Sequence, residues 1–284
     1  SGSNVNLGLA DKPPANPERN AYFGDLHVHT KYSFDAYAFG TLASPYDAYR
    51  FAKGQAIKHP AGFDVQLQAP LDFYGVTDHG FFMGVSPVAA DTSTEFSKYA
   101  FAKVVHNLNA PDNMDRWSTL DRMRSFGLAR ALALAIVDGE VSPEEPLAIT
   151  RNAWADTINA ADEHYNPGHF TTFVAYEYST TADDNGSLHR NVIFRGDTAP
   201  ELPFSRIDSQ NPEDLWKWMD SNREQGIESL AIPHNSNGSN GSMFALVDWA
   251  GNPLDSAYSE QRMRNEPLVE ITQVKGTSDT HPAL

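Results

Sequence analysis

The chain has 284 residues, 21 basic against 37 acidic, for a formal charge of −16. That balance argues against a nucleic-acid polymer as partner, because polyanion binding needs a basic footprint, although a local site for one small anion stays open. There is no cysteine, which excludes disulfides, thiol nucleophiles and thiolate metal sites and leaves His, Asp, Glu and water as metal ligands.

No apolar run approaches the roughly 18 residues of a membrane span; the longest apolar-rich stretch, 128–137, contains Arg130. Ser1-Gly2-Ser3 reads as a cloning remnant, and a leader removed from the start is compatible with the sequence. A cysteine-free composition fits a periplasm and a cytoplasm alike.

In chain order, residues 1–20 are rich in Asn, Pro and charge and read as an extended arm. Apolar runs suited to buried strands follow at 22–28, 71–77, 170–178, 190–195, 229–233 and 268–274. Helices are predicted between most of them. Ser44-Pro45-Tyr46-Asp47, Ser142-Pro143-Glu144-Glu145 and Asn211-Pro212-Glu213-Asp214 share one start signal: a capping side chain, proline in the first turn and an acid facing the positive helix end. After Ser142, Leu147, Trp154, Ala155, Ile158, Ala161 and Tyr165 recur on one helical face. The spans 95–108 and 120–137 also read as helices. No strand is predicted over 81–140, which reads as a helical insertion. Buried-type strands alternating with helices predict a parallel α/β arrangement in one domain over 21–284. The Asn/Ser/Gly run 235–242 is a loop.

Six of the ten histidines border these strands: His27, His29, His79, His189, His234 and His281. Acids sit in similar places: Asp25, Asp35, Asp78, Glu177, Glu270 and Asp279. In parallel α/β folds functional groups collect at the carboxyl ends of strands. The sharpest signal is His27-Val28-His29, since residues i and i+2 of a strand share a face and so present two imidazoles to one metal ion. A carboxylate such as Glu177 has two oxygens and can bridge two ions. His59, His106, His164 and His169 fall on helices or loops away from the strand ends and read as structural. Asp25 and Asp78 either orient a neighbouring imidazole or serve a turn.

Gly24-Asp25-Leu26-His27-Val28-His29-Thr30 with Ser33-Phe34-Asp35-Ala36, then Thr77-Asp78-His79, Glu177, His189, His234 and Ser278-Asp279-x-His281, resemble the PHP (polymerase and histidinol phosphatase) superfamily over about 21–281. More narrowly, the stretches 21–36, 47–59 and 270–282 are similar to a bacterial PHP-like branch whose domain has no known function. The resemblance implies a distorted (β/α)7 TIM-like barrel, two or three divalent ions (Zn, Mn or Fe) and phosphoesterase activity. It implies that His27 and His29 hold one ion, with Asp279 joining them. Glu177 bridges to a second ion completed by His189 and His234. Asp35, His79 and His281 hold a third. His27, His29, Glu177 and His234 form the catalytic set. In that branch a further Asp-x-His pair follows downstream, so either Asp279 and His281 close the site or that later pair does. Arg190 and Lys275 are candidate contacts for a phosphoryl oxygen, with Gln273 beside Lys275.

The expected function is hydrolysis of a small phosphorylated substrate by metal-activated water, with no side-chain nucleophile, in keeping with the absence of cysteine and of a Gly-x-Ser-x-Gly motif. The alternatives are a catalytically silent domain that binds a ligand or partner, and a hydrolase of sulfate esters or amides using the same ions.

Overall fold

The computed structural model describes residues 20–113 and 118–279. The arm expected over 1–20 and His281 lie, apart from Asn20, outside the described residues. In chain order the elements are β1 (Gly24–Asp25), α1 (Phe34–Ala38), α2 (Pro45–Ala52), β2 (Ile57–Lys58), β3 (Asp64–Val65), β4 (Phe73–Gly75), α3 (Val85–Ala90), α4 (Thr119–Ser125), α5 (Gly127–Val137), α6 (Glu144–His164), β5 (Thr171–Phe173), β6 (Ala175–Tyr178), β7 (Arg190–Phe194), α7 (Pro212–Glu224), β8 (Ser229–Pro233), α8 (Ser256–Asn265), β9 (Thr272–Gln273) and β10 (Gly276–Thr277).

Two of the three predicted start signals act as capped helix starts, whereas α6 begins at Glu144 with Pro143 in the cap position and no side-chain cap. The Ser44 hydroxyl accepts from Asp47 N and the Asp47 carboxylate accepts from Ser44 N, a reciprocal cap on α2. The Asn211 side chain accepts from Glu213 N at the start of α7. The span 95–108 is not an α-helix. It forms two 3-10 turns, Phe96–Lys98 and Ala100–Val105, separated by Tyr99 in extended conformation. The His106 ring, 2.8 Å from Ser97 O, ties the second turn back onto the first. The span 120–137 divides into α4 and α5 at Phe126.

Two small sheets position the site. In the first, β1, β4 and β5 lie parallel, with Asp25 opposite Tyr74 and Tyr74 opposite Thr172. Gly24 permits this closeness, since a Cβ there would meet Phe73 O at 2.2 Å. In the second, β6, β7 and β8 are antiparallel, with Glu177 opposite Asn191 and Asn191 opposite Ile232. The sheets meet because β5 continues through Val174 into β6. The stretch after β4 also bonds to β6, Glu177 N donating to Asp78 O and Gly80 N to Glu177 O, both at 2.9 Å.

This corrects the expected barrel. The fold is mixed α/β, built of small sheets, with no closed barrel among the described residues. One reason is chain length. Only residues 179–189, with no helix, separate β6 from β7, and a parallel return needs a crossover of a dozen or more residues. The other is the last apolar run, 268–274. Apart from one bond, Glu270 N to Pro233 O at 3.0 Å, it pairs with neither sheet, forms the β9–β10 hairpin and leaves Leu268, Ile271 and Val274 exposed.

The main core lies where α2, α6 and α7 pack on the sheets, around Tyr49, Trp154, Tyr176, Phe194, Trp216 and Met219. Between β4 and α6 the described residues include no strand, and α3 and α5 share a second apolar cluster with Tyr37, including Phe96, Leu128 and Leu132. No helix is long and apolar enough to cross a membrane.

Candidate metal centre

Beyond β1 the chain stays extended, because Val28 is held on both sides: its N–H donates to Thr77 Oγ1 at 2.8 Å and its carbonyl accepts from Thr77 N at 2.7 Å. His27 and His29 therefore point the same way. What they point at is Glu177 on β6, which is fully buried. His29 Nε2 lies 3.2 Å, and His27 Nε2 and His234 Nε2 each 3.4 Å, from Glu177 Oε2. The other oxygen, Oε1, accepts from Ser179 Oγ at 2.7 Å and lies 2.7 Å from His189 Nδ1 and 3.0 Å from His79 Nδ1. Five imidazoles from four separate chain segments thus surround one carboxylate.

Two potential ligand groups emerge, His27–Glu177–His234 and His29–His79–Glu177, the candidate ligand atoms of each lying within 4.8 Å of one another. Both use Glu177. This differs from the partition implied by the resemblance, in which His27 and His29 share an ion. Their rings are 5.3 Å apart and inclined at 61°, whereas His27 lies 4.1 Å from His234 and His29 4.7 Å from His79.

The supporting hydrogen bonds fix which ring nitrogen is free. Glu270 Oε2 is 2.8 Å from His27 Nδ1, and a carboxylate can only accept, so Nδ1 carries the proton. Ser33 Oγ donates to Asp78 Oδ1 at 2.7 Å and must therefore accept from His29 Nδ1, 2.8 Å away. His29 Nε2 is left with a bare lone pair facing Glu177 Oε2, and neither buried atom has a hydrogen-bond partner. His79 Nε2 and both nitrogens of His234 are buried without partners as well. Buried polar atoms left open in this way are rare. Two acceptors face to face are satisfied by a proton or by a metal ion between them, and imidazole with carboxylate is a donor set that Zn, Mn or Fe accept.

The electrostatics agree. Burial opposes charge on Glu177, but His79, His234 and His189 outweigh it and hold the carboxyl well below its usual range. Burial also disfavours protonating His27, yet Glu177 and Glu270 raise it to about 9. Against the same effect of burial, Glu177 and Asp35 raise His79 to about 10. Burial dominates at His234, lowered to about 4, and lowers His189 too. Glu177, Glu270 and Asp35 thus favour positive charge on His27 and His79, while burial disfavours it on His234 and His189.

Residues 16–284 match the family model described as Protein of unknown function (DUF3604). The chain belongs to this family. No curated protein and no solved structure matches it.

The remaining predicted residues of this DUF3604 member divide into those at the site and those elsewhere. Asp35, in the first turn of α1, has Oδ2 3.2 Å from His79 Nε2. Lys275 lines an open groove of about 720 Å³ together with His27, His29, Asp35, Glu270 and Gln273. Arg190 is elsewhere. Strand alternation turns it away from its neighbours His189 and Asn191, and its buried guanidinium bonds to Glu266 Oε1 at 2.7 Å and to Leu188 O. It is a structural ion pair, not a groove residue. Asp279 is exposed and belongs to neither ligand group. Asp25 serves a turn, its carboxylate accepting from His27 N. Asp78 supports the site, accepting from Thr30 N and Thr30 Oγ1 as well as Ser33. His59, His106, His164 and His169 are not among the residues around Glu177. Ser33, Ser179 and Asn191, which donates to Leu26 O, escaped the sequence reading. Only Ser33 carried a signal, as a neighbour of Asp35 in the first motif.

Proposed function

We propose that this chain is a metal-dependent hydrolase acting on a phosphate ester, with its centre built on Glu177. The observation that carries the reading is the sharing of one buried carboxylate by two His-rich ligand groups. The likeness of the motifs to the PHP superfamily supports phosphoester chemistry in particular.

His27, Glu177 and His234 would hold one cation, and His29, His79 and Glu177 a second. Asp35, beside His79, offers a carboxylate for a third. Divalent ions in such a site neutralise phosphoryl oxygens and lower the pKa of a water, so that water serves as nucleophile. The protein's part is positional. Glu177 presents Oε2 to His27, His29 and His234 and Oε1 to His79 and His189, so one carboxylate lies within reach of both ligand groups. Glu270 and Ser33 keep protons on Nδ1 of His27 and His29, leaving the Nε2 lone pairs free. Lys275 brings a cationic side chain to the groove through which an anionic substrate would reach the ligands.

Elemental analysis of protein purified without chelators should find roughly two ions of Zn, Mn or Fe per chain, as a two-metal site requires. With added Mn, the protein should hydrolyse 4-nitrophenyl phosphate faster than 4-nitrophenyl sulfate or a 4-nitroanilide. Glu177→Ala should lose both metal and activity while keeping its circular dichroism. Less than one ion per chain in the wild type would sink the proposal.

A further inference from the structure

A second cavity lies behind the aromatic wall of the metal centre. The Phe34 ring, next to Asp35, is 4.8 Å from the His79 ring, 5.1 Å from Phe81 and 5.8 Å from Phe126. Phe81 and Phe126 also line a pocket of about 640 Å³ between the helical excursion and the segment near Ile207. Ala133 and Ile136 of α5 and Leu147 of α6 complete an apolar wall. The volume is that of a small-molecule site.

Two cationic side chains line the same pocket, Arg130 on α5 and Arg206. In a chain with 37 acidic residues, arginines normally find a carboxylate. Arg50, Arg124, Arg151, Arg190, Arg195, Arg223, Arg262 and Arg264 all do so, and Arg122 donates to Ala38 O and Asn109. Among the described residues neither Arg130 nor Arg206 has an acidic partner. Arg206 instead lies over the face of Phe81, 5.7 Å from its centroid. Phe82, also on the wall, has φ +53°, a left-handed conformation that a bulky side chain adopts only where its surroundings demand it.

We propose that this pocket binds an amphipathic organic anion, its aryl or alkyl body against Phe81, Phe126, Ile136 and Leu147 and its acidic head on Arg130 and Arg206. The charge complementarity supplies the argument: an apolar pocket furnished with two guanidinium groups and no carboxylate partner for either is completed by an apolar ligand carrying a negative charge. The site does not depend on the hydrolase reading, because Phe34 and Phe81 stand between it and the ligand groups.

The test is calorimetric titration of the full chain with 1-naphthoate and, separately, with neutral 1-naphthalenemethanol. Naphthoate should bind at one site per chain. Arg206→Gln should weaken naphthoate by roughly tenfold or more, the loss expected for a charge-assisted hydrogen bond, and leave the neutral compound within about twofold. Ala133→Trp, on the exposed side of α5, should fill the pocket and remove both. Chelator-treated protein should bind naphthoate as well as untreated protein. No naphthoate binding by the wild type, binding unchanged in both variants, or binding lost on chelation would each overturn the proposal, the last by placing the carboxylate on the metals.

Discussion

Ser33 touches three parts of the candidate metal centre at once. It donates to Asp78, accepts from the His79 backbone N–H at 3.1 Å, and holds His29 Nδ1. Without it His29 loses the partner that sets its tautomer and ring angle. Ser33→Ala is therefore expected to keep every ligand yet weaken metal affinity by about 10–100-fold, as such supporting contacts typically do. Competition against a chromophoric chelator measures this, and unchanged affinity would remove Ser33 from the design. At this scale the histidines and the acids behind them, Asp78 and Glu270, were readable in the sequence, and the supporting serines were not. His27, His29, His79, His189 and His234 declare themselves by side-chain type and by their place beside apolar runs. A serine has no such signature, since its role depends on which proton it gives and which it accepts. Arg190 shows the converse. Its neighbour His189 suggests the site, but strand alternation sends it to Glu266.

Helices α7 and α8 are joined through one carboxylate. Asp220 on α7 accepts from Arg264 Nε and Nη2 at 3.0 and 2.8 Å, from Gln261 Nε2 and Asn265 Nδ2 at 3.1 Å each, and from Arg223. The Arg264 hydrogen bonds, more than offsetting burial and aided by Gln261 and Asn265, hold its carboxyl below the usual range. A carboxyl lowered on folding contributes stability at every pH above its unfolded value of about 3.9, and that contribution fades as pH falls toward the folded value. Asp220→Asn is expected to cost about 1–2 kcal/mol at neutral pH, allowing for the partial exposure of Arg264. Urea denaturation at several pH values should show the difference narrowing below about pH 4. A difference that ignores pH would refute the assignment. Among elements, helix starts such as Ser44 and Asn211 were predictable because cap and capped groups lie within four residues. The span 95–108 was not, because periodicity alone does not separate an α-helix from successive 3-10 turns.

Taken whole, the molecule is stitched together at Glu177. The five imidazoles come from segments beside β1, β4, β7 and β8, so bound cations would cross-link both sheets. Ligands that bind only the folded state stabilise it by mass action, about 4 kcal/mol at a thousandfold excess over Kd. For a chain of this size that corresponds to a midpoint lowered by roughly 10 °C after dialysis against chelator. Scanning calorimetry should find that drop and its recovery on adding Mn or Zn. Equal midpoints for metal-loaded and stripped protein would show that the cross-link contributes nothing.

Residue chemistry alone singles out the candidate ligand histidines and Glu177, excludes thiols, and marks the start points of α2 and α7 and the strand-free stretch between β4 and α6. These are matters of composition and of contacts a few residues apart. The direction of β7, the failure of the last apolar run to join a sheet, and the pairing of His27 with His234 rather than with His29 belong to the tertiary structure. Each is settled by partners many residues away. An apolar run states that a strand will be buried, while the length of the connection and the hydrogen bonds open on its neighbour decide which way it runs and what it faces.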